Sequence, residues 1–463
     1  MGDSKDKHVS VEANKPAPRP QRQELTLKAT GQEARNYDYT AARIQAGQTK
    51  NTNFLETVGN FVKSCLGGGV VGIHAGYKKC GLISGLIINV LAGFMLAHSK
   101  MCRQILVSSA QLMYGRLQVP SLTYPELAEA SLKTGPFPKL AKYGTVFRYM
   151  VDATICINLF GSCCVYSVII ARTIKQLLEL GNVVAEANLR IYIACMLIPL
   201  VLIAMILNLK YLAPFSIVAN ILLILLAFST IYFGSKAATK SPTEFPLIKD
   251  AEGFFEFLGI CIFSMEGMGM VIPIENYMKK PKDFPKVLCV GMSAVISVVV
   301  TIGFFGYWGY GEQALTPITM NFPWEPYPII LKSSLALVLY VTFGLNIWAP
   351  FNLVWVYIKV RHNPDRLWFT ERVYRALIVL ALILLAIAFP NINAFMGFLG
   401  SFALGLSGFM YPAVIDIIVK WHDPGLGCNK WRLGKFFLVF FFGLFLCFLG
   451  GYSNLKNLLM SSG

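Results

Sequence analysis

Eleven runs of mostly apolar residues, each about 20 residues long, occupy most of the chain after residue 53. A helix of about 20 apolar residues spans the hydrocarbon core of a bilayer. Only 14% of the residues are charged, whereas a soluble domain has about 25% charged residues. The pattern therefore predicts an all-α integral membrane protein with eleven transmembrane helices, numbered spans 1 to 11 in chain order. The runs cover residues 54–77, 82–106, 147–171, 190–208, 211–234, 254–277, 285–308, 327–357, 372–389, 392–418 and 433–452.

The distribution of Lys and Arg predicts how these helices are oriented. With the N-terminus in the cytosol, the cytosolic side carries about three times as many Lys and Arg residues as the opposite side, as the positive-inside rule expects. The net charge of +16 then follows from topology, and its expected partner is membrane lipid, through anionic headgroups, rather than nucleic acid. The sequence leaves open whether the membrane is the plasma membrane or an endolysosomal membrane.

Composition divides the chain into three parts. Residues 1–52 are rich in Lys, Arg, Glu, Gln, Ala and Pro and contain no apolar run, so they cannot bury enough surface to offset the entropy of ordering. We expect them to form a disordered cytosolic tail, which is either a regulatory or sorting arm or simply a solvated tail. Residues 53–452 form the predicted transmembrane domain, and residues 453–463 a short non-cytosolic tail.

Sequence patterns typical of catalytic or metal sites do not occur in the chain. We find no C-x-x-C, H-E-x-x-H, G-x-S-x-G or Walker A pattern, which are the usual signs of metal, hydrolase and nucleotide chemistry. We therefore expect a protein that is not an enzyme and that has no bound metal and no cofactor.

Two glycine-rich stretches interrupt the apolar pattern at matched positions. Span 1 contains Gly67-Gly68-Gly69-Val70, and span 6 contains Gly267-Met268-Gly269-Met270. The two stretches are five spans apart, and five is an odd number, so the corresponding halves enter the bilayer from opposite sides. An inverted repeat with paired broken helices is typical of secondary transporters. The alternative is that these glycines only allow close packing between helices.

Broken helices would expose backbone groups toward the protein interior, since non-helical backbone in a bilayer is tolerated only in a buried or polar surrounding. The N-terminal end of a half-helix favours an anionic group, and the carbonyls released at the break can accept hydrogen bonds from an ammonium group. A small zwitterion matches both features. The predicted substrate-binding residues are Gly67, Gly68, Gly69, Val70, Gly72, Phe263, Ser264, Gly267 and Gly269.

Four segments resemble the proton-assisted amino acid transporters of the amino acid/auxin permease superfamily. They are FVKSCLGGGVVGIHAGYKKCGLISG from residue 61, GSCCVYSVIIA at 161–171, IFSMEGMGMVIPIENYMKKPKDFPKVLCVGM at 262–292 and GYWGYGEQALTPITMNFP at 306–323. The resemblance covers about residues 52–455. It implies a LeuT-like fold of inverted five-helix repeats with broken helices 1 and 6, and uptake of small amino acids coupled to H⁺.

The sequence departs from this family where proton coupling is concerned. Asn60 stands where the family has its proton-linked histidine, and His74 replaces the proline that follows the glycine stretch. The candidate proton-coupling residues are therefore Glu266, His74 and Asn60. Glu266 either couples protons or caps freed N–H groups, and His74 either titrates or packs. Glu275, near the cytosolic end of span 6, is interpreted as a structural partner of a loop lysine.

The resulting functional hypothesis is a secondary active transporter that moves small amino acids, with proton-coupled symport by alternating access. Two alternatives remain: an uncoupled amino acid facilitator, and a nutrient sensor, or transceptor, with little flux. The side chain of the substrate is not specified, because a site built from backbone groups recognises the carboxylate and ammonium groups common to all amino acids.

Overall fold

The computed structural model describes residues 26–46, 52–97, 103–206, 215–249, 251–265, 267–363 and 366–460, and the regular structure in this part of the chain is helical. The single β-type contact among these residues is an isolated parallel bridge between Thr52 and Met278. The predicted all-α fold class is confirmed.

Most predicted spans correspond to long helices. Within the described ranges, six helices are long and apolar enough to cross a membrane, and two shorter apolar ones accompany them. Span 9 carries Glu371, Arg372 and Arg375 in its first part. The unbroken spans 2 to 5 are Leu82–Ala97, Gly144–Leu180, the pair Leu189–Cys195 and Leu197–Ala204, and Phe215–Ala237. Spans 7 to 11 are Phe284–Tyr310, Pro326–Ile358, Leu367–Ala388, Ile392–Val419 and Trp431–Met460. The total of eleven spans stays a prediction.

Spans 1 and 6 are each broken into two half-helices, as the glycine pattern predicts. Span 1 consists of Phe54–Cys65 and Ile73–Cys80, joined through the 3₁₀ turn Gly68–Gly72. Span 6 consists of Ala251–Ser264 and Val271–Asn276, with a 3₁₀ turn at Met268–Met270. Glycine costs about 1 kcal/mol relative to alanine within a helix, so a run of glycines favours the break where it occurs.

Between spans 2 and 3 the described residues form two longer helices and the short helix Pro138–Ala141. Arg103–Leu117 extends well beyond the end predicted for span 2, and Tyr124–Lys133 contains the stretch PELAEA. The second of these begins with a capping box in which Glu126 accepts from the backbone N–H of Thr123 at 2.9 Å. Most of its side chains are buried, so it is part of the packed domain.

Small residues let spans 6 and 10 approach each other closely. A Cβ atom added at Gly259 would overlap the carbonyl oxygen of Gly397, and one added at Gly400 would overlap the carbonyl oxygen of Gly259. Spans 1, 3, 6, 7, 8 and 10 contribute to one continuous buried core. Large apolar side chains on the outer faces remain exposed, Ile198, Phe228 and Phe448 among them, as expected for surfaces that contact lipid.

The prediction that residues 1–52 form a disordered tail is wrong for residues 26–46. This part contains the helices Gly31–Asn36 and Tyr39–Gln45 and packs against the transmembrane domain. The composition argument treats the tail in isolation, whereas the domain offers buried polar partners to Arg43. Residues 1–25 lie outside the described residues.

The predicted boundary at residue 453 is also wrong. The helix of span 11 continues to Met460, and Asn454 is buried against Gly397 of span 10. Lys456 forms an ion pair of 3.0 Å with Glu252 at the start of span 6. Residues 453–460 therefore belong to the transmembrane domain, because their polar side chains pack against neighbouring spans.

Candidate substrate site at the two broken helices

The break in span 1 begins at Leu66 and Gly67. The first half-helix closes with the bond from the N–H of Leu66 to the carbonyl of Val62, at 2.9 Å, and Gly67 is then extended. The chain resumes a helical course at Gly68 and continues through Cys80. The first N–H groups of a helix lack partners within the helix, so this end of the second half-helix presents donors toward the break.

The break in span 6 depends on Gly267, whose φ is +154°. A Cβ atom at Gly267 would lie 2.5 Å from the Sγ of Cys65, the last residue of the first half of span 1. Glycine adopts this backbone conformation without steric cost. The two breaks are consequently in direct contact, and a side chain at position 267 would push them apart.

A hydrogen bond joins the two breaks. The hydroxyl of Ser264 is 2.9 Å from the carbonyl oxygen of Gly69 and 2.8 Å from that of Ile260 in its own helix. Phe263 lies beside it, and a Cβ atom at Gly69 would approach Phe263 and Ser264 to 2.8 Å. Gly69 is needed here because a larger residue would displace the first half of span 6.

Spans 3 and 8 complete the surroundings of the break in span 1. The ring of Tyr166 lies against Gly68 so closely that a Cβ atom there would overlap it, and its hydroxyl faces Gly67. The Nδ2 of Asn346 is 3.4 Å from the Tyr166 hydroxyl. Leu339 of span 8 also lies against Gly68. A polar pair thus faces the N-terminal end of the second half of span 1.

The structure brings together seven of the nine predicted substrate-binding residues. The contacts described above gather Gly67, Gly68, Gly69, Phe263, Ser264 and Gly267 around the two breaks, and the N–H of Val70 donates to the carbonyl of Gly67 at 3.2 Å. Gly72 instead packs against Met396 and Thr316, and a Cβ atom at Gly269 would meet open space. These seven residues and their two polar neighbours, Tyr166 and Asn346, define the candidate site.

The candidate proton-coupling residues do not form one cluster. His74 is fully buried in the second half of span 1, with Nε2 2.8 Å from the carbonyl oxygen of Leu315. A carbonyl only accepts, so Nε2 carries the proton and Nδ1 does not. Nδ1 is buried without a hydrogen-bond partner among the described residues. Asn60 is exposed on the first half of span 1, and Glu266 lies outside the described residues.

A loop between spans 7 and 8 covers the end of the molecule where span 1 finishes. His74 donates a hydrogen bond to the carbonyl of Leu315 in this loop. Arg172 of span 3 donates to the carbonyl of Thr316 in the loop, at 2.8 Å, and to the carbonyl of Pro390, which precedes span 10, at 3.1 Å. Gln176 donates to the carbonyl of Met320 at 2.9 Å. Side chains of spans 1 and 3 therefore hold the loop closed over the site from this side.

Residues 26–46, termed the amino-terminal segment, cover the opposite end of the molecule, which is termed the amino-terminal face. Arg43 of this segment forms an ion pair of 3.0 Å with Glu275 at the end of span 6. Glu275 therefore has a structural partner, as the sequence predicts, but that partner is an arginine of the tail rather than a loop lysine. Burial, followed by the charge of Glu275, raises the pKa of Tyr39 in this segment to about 12.

Three residues of these arrangements are absent from the predicted site: Tyr166, Asn346 and Arg43. Tyr166 and Asn346 are polar residues within apolar spans, a pattern that marks interior positions. Arg43 has no comparable signal, because nothing in a polar tail distinguishes an arginine that docks from one that is solvated. In the described part of the chain, no group of three or more His, Cys, Asp or Glu side chains is placed to hold a metal ion.

The family of the chain follows from comparison with known proteins. Residues 50–455 match the model of the family described as transmembrane amino acid transporter protein. The chain belongs to this family. The resemblance to the amino acid/auxin permease superfamily that the motifs indicate is thereby confirmed.

Two proteins that are similar to this chain in sequence are named as amino acid transporters or transporter-like proteins. The proton-coupled amino acid transporter-like protein pathetic of Drosophila melanogaster is 33% identical over 417 residues, which cover 87% of this chain and 84% of that protein. Amino acid transporter AVT3C of Arabidopsis thaliana is 26% identical over 422 residues, covering 87% and 91% of the two chains. A solved manganese transporter of Eremococcus coleocola is 11% identical with a TM-score of 0.49, over 95% of this chain and 90% of its own.

Because the chain belongs to this family of amino acid transporters, it is an integral membrane protein. At the two breaks, backbone N–H and carbonyl groups in the interior of the transmembrane domain lack partners within their helices. The site consists of Gly67, Gly68, Gly69, Val70, Phe263, Ser264 and Gly267, together with Tyr166 and Asn346, and none of these residues carries a charged side chain.

Proposed function

We propose that this protein moves small amino acids across a membrane as a proton-coupled symporter working by alternating access. The observation that supports it most directly is the hydrogen bond between Ser264 and Gly69, which couples the two breaks. Any ligand that binds between the half-helices contacts both spans. Its binding energy can then bias their relative position, as a population shift requires.

The substrate class follows from the groups that the breaks offer. The N-terminal end of the second half of span 1 favours a carboxylate, and the carbonyl oxygens that follow the first half-helices favour an ammonium group. Tyr166 and Phe263 lie so close to Gly68 and Gly69 that a Cβ atom at either glycine would overlap them, and this close packing supports a substrate with a short side chain. We therefore include glycine, alanine and proline among the substrates to be tested.

His74 is the described residue best placed to carry the coupling proton. In the observed arrangement its Nε2 donates to Leu315, and protonation of the buried Nδ1 would add a donor with no acceptor among the described residues. A buried donor without a partner costs about 1 to 3 kcal/mol. Protonation would therefore favour a rearrangement that opens the loop over the site. Glu266 remains the alternative proton site.

The orientation and the membrane belong to the same proposal. The excess of Lys and Arg on the amino-terminal face places that face in the cytosol by the positive-inside rule. The loop that contains Leu315 and Thr316 then faces the outside of the cell or the lumen of an endolysosomal compartment. In either membrane, uptake into the cytosol would use an acidic non-cytosolic side.

Uptake by proteoliposomes tests the proposal. Purified protein is reconstituted, and uptake of radiolabelled glycine, alanine, proline and glutamate is measured with and without an acid-outside pH gradient. Concentrative uptake only with the gradient is the expected result. Uptake that merely equilibrates would replace the symporter with an uncoupled facilitator, which the asparagine at position 60 favours. Binding without flux would identify a nutrient sensor.

A further inference from the structure

The most completely built polar site outside the breaks encloses the guanidinium of Arg43, whose side chain is only 4% exposed. Its Nη2 is 3.0 Å from Oε2 of Glu275 and 2.8 Å from Oδ1 of Asn276. Its Nε donates to the carbonyl of Pro120 at 2.8 Å, and Nη1 lies 3.4 Å from the carbonyl of Glu275. Every nitrogen of the guanidinium thus faces an acceptor that belongs to the transmembrane domain.

Other side chains of the domain fix these acceptors in place. Gln111 donates to Oε1 of Glu275 at 3.1 Å, and the Tyr114 hydroxyl donates to Oδ1 of Asn276 at 3.2 Å. The rings of Tyr39 and Tyr114 lie 5.0 and 5.2 Å from the guanidinium carbon, within the range of cation–π attraction. Planar fork geometry and aromatic faces suit arginine rather than lysine. The amino-terminal face therefore contains a guanidinium site, to which the segment itself contributes the ring of Tyr39.

Occupation of this site ties two parts of the transport machinery together. Glu275 and Asn276 are the last residues of the second half of span 6, which starts at the break. Thr52 lies just before span 1 and forms two backbone hydrogen bonds with residues that follow span 6. Its N–H donates to the carbonyl of Tyr277 at 2.8 Å, and its carbonyl accepts from the N–H of Lys279 at 3.1 Å. Arg43 thus reinforces a junction between the amino-terminal end of span 1 and the carboxyl-terminal end of span 6.

A second attachment secures the segment that carries Arg43. The N–H groups of Lys28 and Ala29 bond to the carbonyl of Arg116 at 2.9 and 3.1 Å. Arg35 pairs with Asp423 in the loop that follows span 10, and this pair is largely exposed. The segment therefore crosses the amino-terminal face from the loop after span 10 to the end of span 6.

We propose that residues 26–46 are an autoinhibitory latch, with Arg43 as the intramolecular ligand of a guanidinium site formed by Pro120, Glu275 and Asn276. The latch holds the amino-terminal face closed. Opening toward this face requires Arg43 to leave, which also leaves the buried carboxylate of Glu275 without its counter-charge. The inference rests on the proposed function, because it takes the opening of this face to be a step of transport.

Cys65 provides a native reporter of the closure, because it ends the first half of span 1 beside Gly267 and is 1% exposed. The full-length protein, as wild type and as Arg43→Gln, is treated with a maleimide, and labelling of Cys65 is quantified by peptide mass spectrometry. Cys163 of span 3, which is fully buried, reports on global unfolding. Lys28→Gln is the matched control, since it removes an exposed positive charge from the same segment and leaves the backbone bond of residue 28 in place.

The latch predicts that Arg43→Gln raises the labelling rate of Cys65 relative to Cys163 by about tenfold, with Lys28→Gln close to wild type. Equal ratios in wild type and Arg43→Gln would overturn the proposal. If Arg43→Gln also exposes Cys163, Arg43→Lys decides by the same ratio, because it keeps the charge and loses the fork. The labelling ratio is independent of flux, so failure of the latch is distinguishable from failure of the transport proposal.

Discussion

Ser264 in the first half of span 6 donates to the carbonyl oxygen of Gly69 in span 1, at 2.9 Å. The acceptor lies within the 3₁₀ turn that leads into the second half of span 1, and the donor is the last residue of its half-helix. Neither broken helix can shift along the other without losing this bond. The coupling of the two breaks is therefore a direct contact rather than an effect transmitted through other spans.

Replacement of Ser264 by alanine removes this link and little else. A buried hydrogen bond contributes about 0.5 to 1.5 kcal/mol, so we expect Ser264→Ala to lower the maximal uptake rate by roughly threefold to tenfold. Ser297→Ala is the control, because the hydroxyl of Ser297 is exposed and bonds only within its own helix, at 2.8 Å from Ser293. Equal uptake rates for both variants in proteoliposomes would contradict the proposed coupling.

The two glycines of span 6 should differ in their tolerance of alanine. At Gly267 an alanine meets both the φ of +154° and the Sγ of Cys65, whereas at Gly269 it meets open space. We expect Gly267→Ala to reduce uptake by more than about tenfold, because strain of this kind costs about 1 to 3 kcal/mol. Gly269→Ala should retain uptake near the wild-type level. The comparison is made at equal amounts of monodisperse protein.

The sequence predicts the breaks well because their cause is local. A glycine run weakens a helix at its own position, and the matched run five spans later identifies the second break. The sequence cannot predict which face each glycine presents. Gly72 and Gly269 belong to the same pattern as Gly67 and Gly267, yet Gly72 packs against span 10 and Gly269 faces open space. That distinction depends on how the half-helices are rotated in the assembled bundle.

The docking of the amino-terminal segment could not be predicted from composition. Its binding depends on Glu275 and Asn276, which are more than 200 positions away in the chain, and on the buried setting that Gln111 and Tyr114 provide. Composition describes whether a segment can bury enough of its own apolar surface. It does not describe whether another part of the chain offers a site for a single arginine.

An ion-pair cluster around Glu129 should make stability depend on pH. Burial raises the pKa of Glu129, but hydrogen bonds from Lys133, Arg148 and Thr145 outweigh it and hold the pKa below the ordinary value of 4.5. A lowered folded-state pKa means that the unfolded state binds the proton more readily. The contribution is therefore fully present above pH 4.5 and is lost as the pH falls through the folded-state pKa.

Thermal unfolding of detergent-purified protein checks this expectation. Glu129→Gln should lower the melting temperature at pH 7 by roughly 2 °C or more, on the scale of 2 to 4 °C for each kcal/mol. The difference from wild type should narrow as the pH falls below 4.5, because the wild-type carboxylate is then protonated. Glu252→Gln serves as the control, since Glu252 and its partner Lys456 are exposed. A difference that stays constant across the pH range would exclude titration of Glu129 as its cause.

His74 offers the most direct test of proton coupling. A glutamine at this position can place its amide nitrogen near the position of Nε2 and keep the bond to Leu315, but it cannot be protonated in the physiological range. We expect His74→Gln to abolish concentrative uptake driven by an acid-outside gradient while exchange of amino acid across the membrane continues. His362→Gln is the matched control, because His362 lies in the loop between spans 8 and 9 on the amino-terminal face.

Two other outcomes are distinguishable: one assigns the proton elsewhere, and the other reports loss of the contact with the loop. Concentrative uptake that persists in His74→Gln would exclude His74 and leave Glu266, which Glu266→Gln then tests in the same assay. Loss of both concentrative uptake and exchange would indicate that the glutamine fails to hold the loop, and exchange by His74→Asn, whose shorter amide cannot reach Leu315 in the same way, would then be equally lost. Retained exchange with lost concentration therefore separates the titration of His74 from its contact with the loop.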